Sequence, residues 1–571
     1  MTSSLPGKPL MWIPRGVCDA LDGTMAFPGA MSNLQNLIPD PTTRGLWQPR
    51  PAAVLRTPVP GAFVSCMLRV GTRIYGMSGS SGGKDSPFCY DMQTQQFVPI
   101  MGPLPAHPPG VTVYPPIDQN TLPFSPQTDG PWSPPNMTLV GSQIIVAHPG
   151  FVKHNGYFGV IDTTLSFHLT WTSTNTSPTV LIHPPTWVVN FNGRCFFLVN
   201  PPGEQPAAYM SDTLNPTVIT NANQILTFGD NLTLTVEAGL ALNNQLGGII
   251  QSLMVFKGST NIYQVTGDYA LGNLAINSLN VATGTNAPNT VVSSEKGLLF
   301  MAPDGIRLID FNATVSDPIG KSGQGITVPF IQVQVPSRAC AGFNVGIYRV
   351  QVRNVNTQQE WWYDAVRDLW SGPHTTGLSL IIPYANTFVC TLQNGGAQLF
   401  QSDPLQLPIS TFVENGIQLL WAWQTVNLPD TDDLCENCCI EATLALQIPP
   451  ATHQANDPGV VNVSFLDQNA VALDTVTILS GNAATIWGHF NWGQALWLGA
   501  VGNLFSQQLA WHWPIVFRRG SVQATGICSS VTKIGQLRMR IQELGYLQPY
   551  PADYGLFILD KSKLGGPDVL G

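Results

Sequence analysis

Glu360-Trp361-Trp362-Tyr363-Asp364-Ala365-Val366-Arg367-Asp368-Leu369-Trp370-Ser371-Gly372 reads as an aromatic strand that runs into a turn at Tyr363-Asp364 and returns as a strand carrying Trp370. Strand, aspartate-led turn and strand is a hairpin signal. The pattern recurs. Phe88-Cys89-Tyr90-Asp91 is followed by Phe97, so the Tyr-Asp pair again has an aromatic seven residues after the tyrosine. Five weaker copies are apolar runs that stop at an aspartate: Tyr157 to Asp162, Ala208 to Asp212, Ile262 to Asp268, Ile306 to Asp310 and Gln398 to Asp403.

Taking Asp91, Asp162, Asp212, Asp268, Asp310, Asp364 and Asp403 as equivalent gives spacings of 71, 50, 56, 42, 54 and 39 residues. Most fall near the period of roughly 40 to 50 residues of a four-stranded propeller blade. The long first interval contains a Pro-rich insertion at 101–136, which cannot be central strand because proline has no ladder N–H. Between about 51 and 410, short runs rich in Val, Ile, Phe, Tyr and Thr alternate with Gly, Asn, Asp and Pro clusters, and no long helical pattern competes. The expectation is an all-β chain with a β-propeller of six to seven irregular blades over 51–410. The unpatterned first 50 residues read as an N-terminal arm leading into the first strand. From 411 to 548 the strands lengthen and alternate more clearly, as in a β-sandwich-like C-terminal domain. Residues 549–571, rich in Pro and Gly, read as a tail.

Composition narrows the function classes. At 571 residues the chain exceeds the roughly 250 to 300 at which one core stops growing, so at least two domains or a repeat array are expected. Only 10% of residues are charged, against an average of roughly 25%, which leaves a neutral surface suited to burial against other subunits. A net charge of −9, with no basic cluster longer than Arg518-Arg519, argues against a nucleic-acid reader. The ten cysteines are mostly isolated, which reads as reduced thiols in a protein made in the cytoplasm, and Met1 to Gly16 has no apolar run of signal-peptide length. From Thr475 to Phe517 there is no charged residue, but Gly, Asn, Gln and His interrupt the apolar positions too often for a membrane span.

Local motifs give weak chemistry. Cys435-Glu436-Asn437-Cys438-Cys439 has two thiols at zinc-ligand spacing, but a second pair is missing and only His453 lies near, so an unligated turn is expected. Asp430, Asp432, Asp433 and Glu436 make that turn acidic without the residue order of a calcium loop. Trp487, Trp492, Trp497, Trp511 and Trp513 are assigned to core and inter-subunit packing, and His512 to the same packing. The alternative use of these aromatics is contact with a host envelope or a neighbouring component. No nucleophile elbow, phosphate loop or His-Glu-x-x-His occurs, and nothing selects a glycosidase pair among 34 carboxylates. The repeat aspartates are read as turn formers. No catalytic residue, metal ligand or cofactor site is assigned, and the chain is not expected to be an enzyme.

At the repeats the chain resembles the propeller-bearing tail nozzle proteins of short-tailed bacteriophages, also called tail tubular protein B. The residues that carry the resemblance are Leu253-Met254-Val255-Phe256-Lys257-Gly258 with Ile262-Tyr263-Gln264-Val265-Thr266-Gly267, then Gly297 to Arg307, then Tyr363-Asp364 with Trp370. Leu37-Ile38-Pro39-Asp40 through Arg50-Pro51 is similar to that family's lead-in to its first blade. The resemblance implies a homohexameric virion tube, assembled in the bacterial cytoplasm beneath the portal-adaptor ring, with fibres or spikes at its flank and DNA passing through without specific binding. An acidic, charge-poor lumen fits such passage. The alternative is a receptor- or glycan-binding propeller with glycosidase activity, although the sialidase box Ser-x-Asp-x-Gly-x-x-Trp is missing from the repeats.

Overall fold

The structure is a computed structural model that describes residues 8–546 except 19–25, 27, 60, 62, 80–84, 99, 101–134, 148–157, 164–167, 173–182, 184, 244–250, 280, 320–325, 354–357, 393–395, 406–410, 429–434, 450–456, 480–504 and 510–514. The expected Pro-rich insertion up to residue 134, the tryptophans from 487 to 513 with His512, the acidic residues Asp430 to Asp433, His453 and the tail lie outside the described residues.

Seven sheets form a β-propeller. Blades 1 to 4 span Phe63–Val98, Asn136–Thr172, Trp187–Thr227 and Val236–Ser278, each with four antiparallel strands in chain order. Blade 5 has three strands, Val292–Ser294, Gly297–Ala302 and Gly305–Asp310. Blade 6 uses Cys340–Asn344, Ile347–Arg353, Gln358–Asp364 and Leu369–His374. Blade 7 uses Leu378–Tyr384, Thr387–Leu392 and Gln398–Ser402, and its fourth strand is Val54–Pro58 from the start of the chain. That borrowed strand links the beginning of the ring to its end. The first strands neighbour one another around the axis in order, and blade 7 adjoins blade 1.

The repeat legible in the sequence is the blade itself. Asp91, Asp162, Asp310 and Asp364 end the third strand of their blades, while Asp212, Asp268 and Asp403 follow it by one or two residues. Their carboxylates cap the turn that follows. Asp364 Oδ1 accepts from the N–H of Val366 (3.0 Å) and Arg367 (2.9 Å), and Asp91 Oδ1 from Gln93 (2.9 Å) and Thr94 (3.3 Å). Asp268, Asp310 and Asp403 accept in the same way from residues 270, 312 and 405. This is the side chain bonding its own backbone two residues on. The aromatic seven residues after the tyrosine is its cross-strand partner. Tyr90 pairs with Phe97 and Tyr363 with Trp370, with ring centroids 5.2 and 5.1 Å apart. Asp364 belongs to the strand, and the turn proper is 365–368.

The C-terminal region is a β-sandwich. One sheet is built on the long antiparallel pair Cys435–Gln447 and Lys533–Tyr546. The other contains Leu420–Thr425, Gly520–Ile527, Val460–Asp467 and Ala472–Leu479. Alternate residues point inward as the pleat requires. Trp421 and Trp423, Val461, Val463 and Phe465, Ala442, Leu444 and Leu446, and Leu537, Met539 and Ile541 are buried in one core. Phe465 and Phe517 meet across the two sheets at 4.6 Å.

The described strands of the first 50 residues, expected as an arm, are built into this sandwich. Lys8–Trp12 pairs along Lys533–Tyr546, Ala30–Gln35 pairs with Leu420–Thr425, and Leu37–Pro39 and Trp47–Pro49 extend the first sheet. Prolines and glycines broke their periodicity, and burial of Trp12, Met31, Leu34 and Trp47 holds them there. Leu34 also pairs with Gly372 at the edge of blade 6, so propeller and sandwich share one ten-stranded sheet.

Candidate functional site

Ligand sites in ring-shaped folds are first sought on the axis. Here the innermost strands leave a cavity of about 90 Å³, lined by Cys66, Met67, Met137, Cys340, Leu380 and Ile382 together with Asn136 and Asn289. That volume holds only a few waters, well below the roughly 300 Å³ at which small-molecule pockets begin. Strand edges facing the axis are satisfied by side chains of the next blade. The N–H of Val188 donates to Asn136 Oδ1 (2.8 Å), that of Asn190 to Thr138 Oγ1 (3.1 Å) and that of Val236 to Asn200 Oδ1 (2.7 Å).

The densest polar chemistry lies where blades 6 and 7 meet the sandwich. Arg50 Nη1 and Nη2 grip Glu414 Oε1 and Oε2 at 3.0 and 2.9 Å, Arg50 Nε donates to Asn36 Oδ1 (2.9 Å), and the N–H of Ala53 donates to Glu414 Oε1 (2.8 Å). Arg349 Nε and Trp362 Nε1 both donate to Glu360 Oε1 at 2.6 Å. Arg349 Nη1 reaches Ser402 Oγ of blade 7 (2.8 Å), and its guanidinium lies 4.4 Å over the Trp362 ring. Both ion pairs are buried, with side-chain exposures of 0% and 6% for Arg50 and Glu414 and 0% for both Arg349 and Glu360. Burial alone would raise the Glu414 pKa, but the charge and hydrogen bonds of Arg50 with the Ala53 N–H hold it below the usual carboxylate range. Burial likewise opposes the charge of Arg50, and Glu414 reverses this and raises its pKa.

His374 pairs across the strand from Glu360, and its Nε2 stands 3.2 Å from Ser371 Oγ. A serine and a histidine at that distance, near carboxylates, suggest a nucleophile and its base. Their surroundings argue otherwise. Ser371 and His374 are 2% and 1% exposed, and burial, with the positive charges of Arg50 and Arg349, pushes the imidazole pKa well down. Both side chains are buried inside the joint, where Ser371 Oγ is a partner of the imidazole Nε2 and His374 Nδ1 has no hydrogen-bond partner. The signal for this joint was in the sequence, since Glu360 opens an aromatic strand and Arg349 stands in the middle of an apolar one. A charge in such a strand implies a buried partner.

The expected Cys435/Cys438/Cys439 turn is an extended strand. Cys438 and Cys439 pair with Gln542 and Ile541 and so point to opposite faces, which prevents them from sharing a metal. The alternation that begins at Ala442 simply starts earlier than the motif suggested. Among the described residues no cluster of three metal-ligating side chains occurs. No described helix is long and apolar enough to cross a membrane.

No family model matches the chain, and no curated protein does. Among solved structures it is similar to an ulvan lyase described as a new family of polysaccharide lyase, PL25, with 12% identity and a TM-score of 0.34, covering 62% of this chain and 95% of that one. It is also similar to BBS1N from a complex with ARL6DN, with 10% identity and a TM-score of 0.34, covering 62% of this chain and 98% of the other.

Proposed function

We propose that the chain is a structural component of a phage tail of the nozzle type, a ring-forming subunit that acts by shape and assembly and performs no catalysis. The observation that carries this reading is the union of a closed propeller with a sandwich through one continuous sheet, locked by two buried ion pairs. A joint of this kind leaves no hinge for a closing active site and suits a rigid building block. The resemblance supports it from a second side, because its residues fall on blade strands, the second and third of blades 4 and 5 and the third and fourth of blade 6. The low charge content favours permanent burial against other copies.

The conduit for DNA in this reading is the space enclosed by several copies. In this reading the ring, with the hexamer as the expected number, sits below a portal-adaptor ring in the virion and carries fibres or spikes. Sedimentation and negative-stain images of the purified chain, with immunogold labelling of intact particles, test it. Rings and a tail-located label are expected. A chain that stays monomeric at all concentrations, or a label on the capsid, overturns it.

A further inference from the structure

The two faces of the sandwich differ in charge. The outward face of the sheet holding Lys533–Tyr546 carries Arg538, Arg540 and Glu441. Among the described residues the outward face of the other sheet carries none. Its cross-strand register can be followed residue by residue. One row runs Asn33, Gln424, Gln523, Ser464, Thr475, and the next runs Gln35, Ala422, Thr525, Asn462, Thr477. Leu420 opposite Ile527 and Val460 opposite Leu479 continue it. Its polar groups bond one another: Thr477 Oγ1 donates to Asn462 Oδ1 (2.9 Å), Ser464 and Thr475 hydroxyls are 2.9 Å apart, and Gln523 Nε2 donates to Gln424 Oε1 (3.2 Å).

The border of this face is the strand Ala472–Leu479, which pairs on one side only. Natural edge strands are protected by lysine, proline, bulges or shortness. This edge is eight residues long, contains no lysine, arginine or proline, and exposes Leu473, Thr475, Thr477 and Leu479. Its one carboxylate, Asp474, stands opposite the core residue Phe465. A face without a formal charge among the described residues, ending in an edge strand that has no lysine, arginine or proline, is poorly matched to water and well matched to a surface of the same kind.

We infer that this uncharged face and its Ala472–Leu479 border form the contact through which a second copy of the chain packs. Area agrees with this occupant. Five strands about 4.8 Å apart and seven residues at about 3.3 Å give roughly 550 Å² as a flat projection. Side-chain relief brings that towards the roughly 800 Å² per partner of a standard interface. The absence of lysine and arginine on the face speaks against nucleic acid and against an anionic membrane. The inference deepens the ring-building reading by naming the surface that builds it.

Thr475→Lys/Thr477→Lys places two like charges on each copy of the face at exposed positions. Sedimentation velocity on the full chain is expected to show the dissociation constant raised about 100-fold or more, with circular dichroism unchanged. Asn462→Asp/Gln523→Glu, which preserves side-chain size, gives the same result if the lysine pair disturbs folding. Arg538→Glu on the opposite face leaves association intact. The inference is overturned if folded charge variants assemble like the parent chain, if Arg538→Glu is the change that separates the copies, or if the parent chain is monomeric. Rings that persist through the face charges leave the nozzle reading standing and remove this surface. A plain two-body complex dissolved by those charges keeps the surface and removes the ring.

Discussion

Replacing Glu414 with alanine removes two hydrogen bonds to Arg50 and one from the Ala53 N–H, and leaves a guanidinium with no exposed surface facing Arg349 and His374 without its counter-charge. Hydrogen bonds to a charged group contribute about 1.5–3 kcal/mol each, but they are not additive here because one ion accepts all three. The governing cost is an uncompensated buried charge, so Glu414→Ala is expected to lose about 3–5 kcal/mol. Arg50→Met/Glu414→Leu removes both charges and keeps volume. It should recover much of that loss but not all, because the Pro51 carbonyl loses its Arg50 donor, Asn36 Oδ1 loses one of its donors and the Ala53 N–H loses its acceptor. Urea unfolding followed by tryptophan fluorescence reads this well, since Trp421 and Trp423 are in the sandwich and Trp362 is in the joint. A loss below about 1 kcal/mol for Glu414→Ala, or a double variant less stable than the single one, would refute the claim that the joint is desolvated and charge-balanced.

Acid should weaken the same joint in two steps. His374 has a folded pKa below its unfolded one, so the unfolded chain binds the extra proton, and stability falls as pH drops below about 6.5 by up to about 1.4 kcal/mol per pH unit. His374→Gln removes that slope relative to the parent, and an unchanged difference between pH 7 and pH 5.5 would count against a neutral buried imidazole. Glu414, also lowered, stabilises above its unfolded pKa of about 4.3 and loses that contribution as pH falls further, a second decline that Glu414→Gln abolishes. In blade 5, Gly297 has φ +138° and a Cβ there would lie 2.0 Å from the Ile309 carbonyl oxygen. Gly297→Ala is expected to cost more than about 2 kcal/mol, against only about 1 kcal/mol for Gly71→Ser, where φ is +61° but a Cβ meets nothing within 4 Å, as measured by urea midpoints.

The legible part of the fold was what a single strand and its turn can state locally. An aspartate at the end of the third strand, accepting from an N–H two residues on in five blades, marks each blade, and an aromatic partner seven residues after the tyrosine marks blades 1 and 6, so the seven aspartates fall one to a blade. The closing strand Val54–Pro58 left no such trace, because its outer position exposes Val54 and Leu55 and erases alternation. The joint was half legible. Glu360 stood at the head of the quoted stretch, but Arg50 and Glu414 are 364 residues apart, and sequence spacing says nothing about a pair joined only by the fold. The cysteine motif, read as an unligated turn, lies in the strand Cys435–Gln447, because clustered polar and acidic residues before it hid the start of the alternation.

The borrowed fourth strand of blade 7 has a consequence for synthesis. Val54 leaves the ribosome early and has no partner until Gln401 follows, about 350 residues and roughly 20–70 s later at about 5–20 residues per second. Lys8 waits longer still, for Ile541. The nascent chain can complete its middle blades one by one while both of its ends stay unclosed, so the finished fold is reached only after translation has passed the last strand. Premature termination anywhere in the sandwich then yields a chain that cannot seat its own beginning.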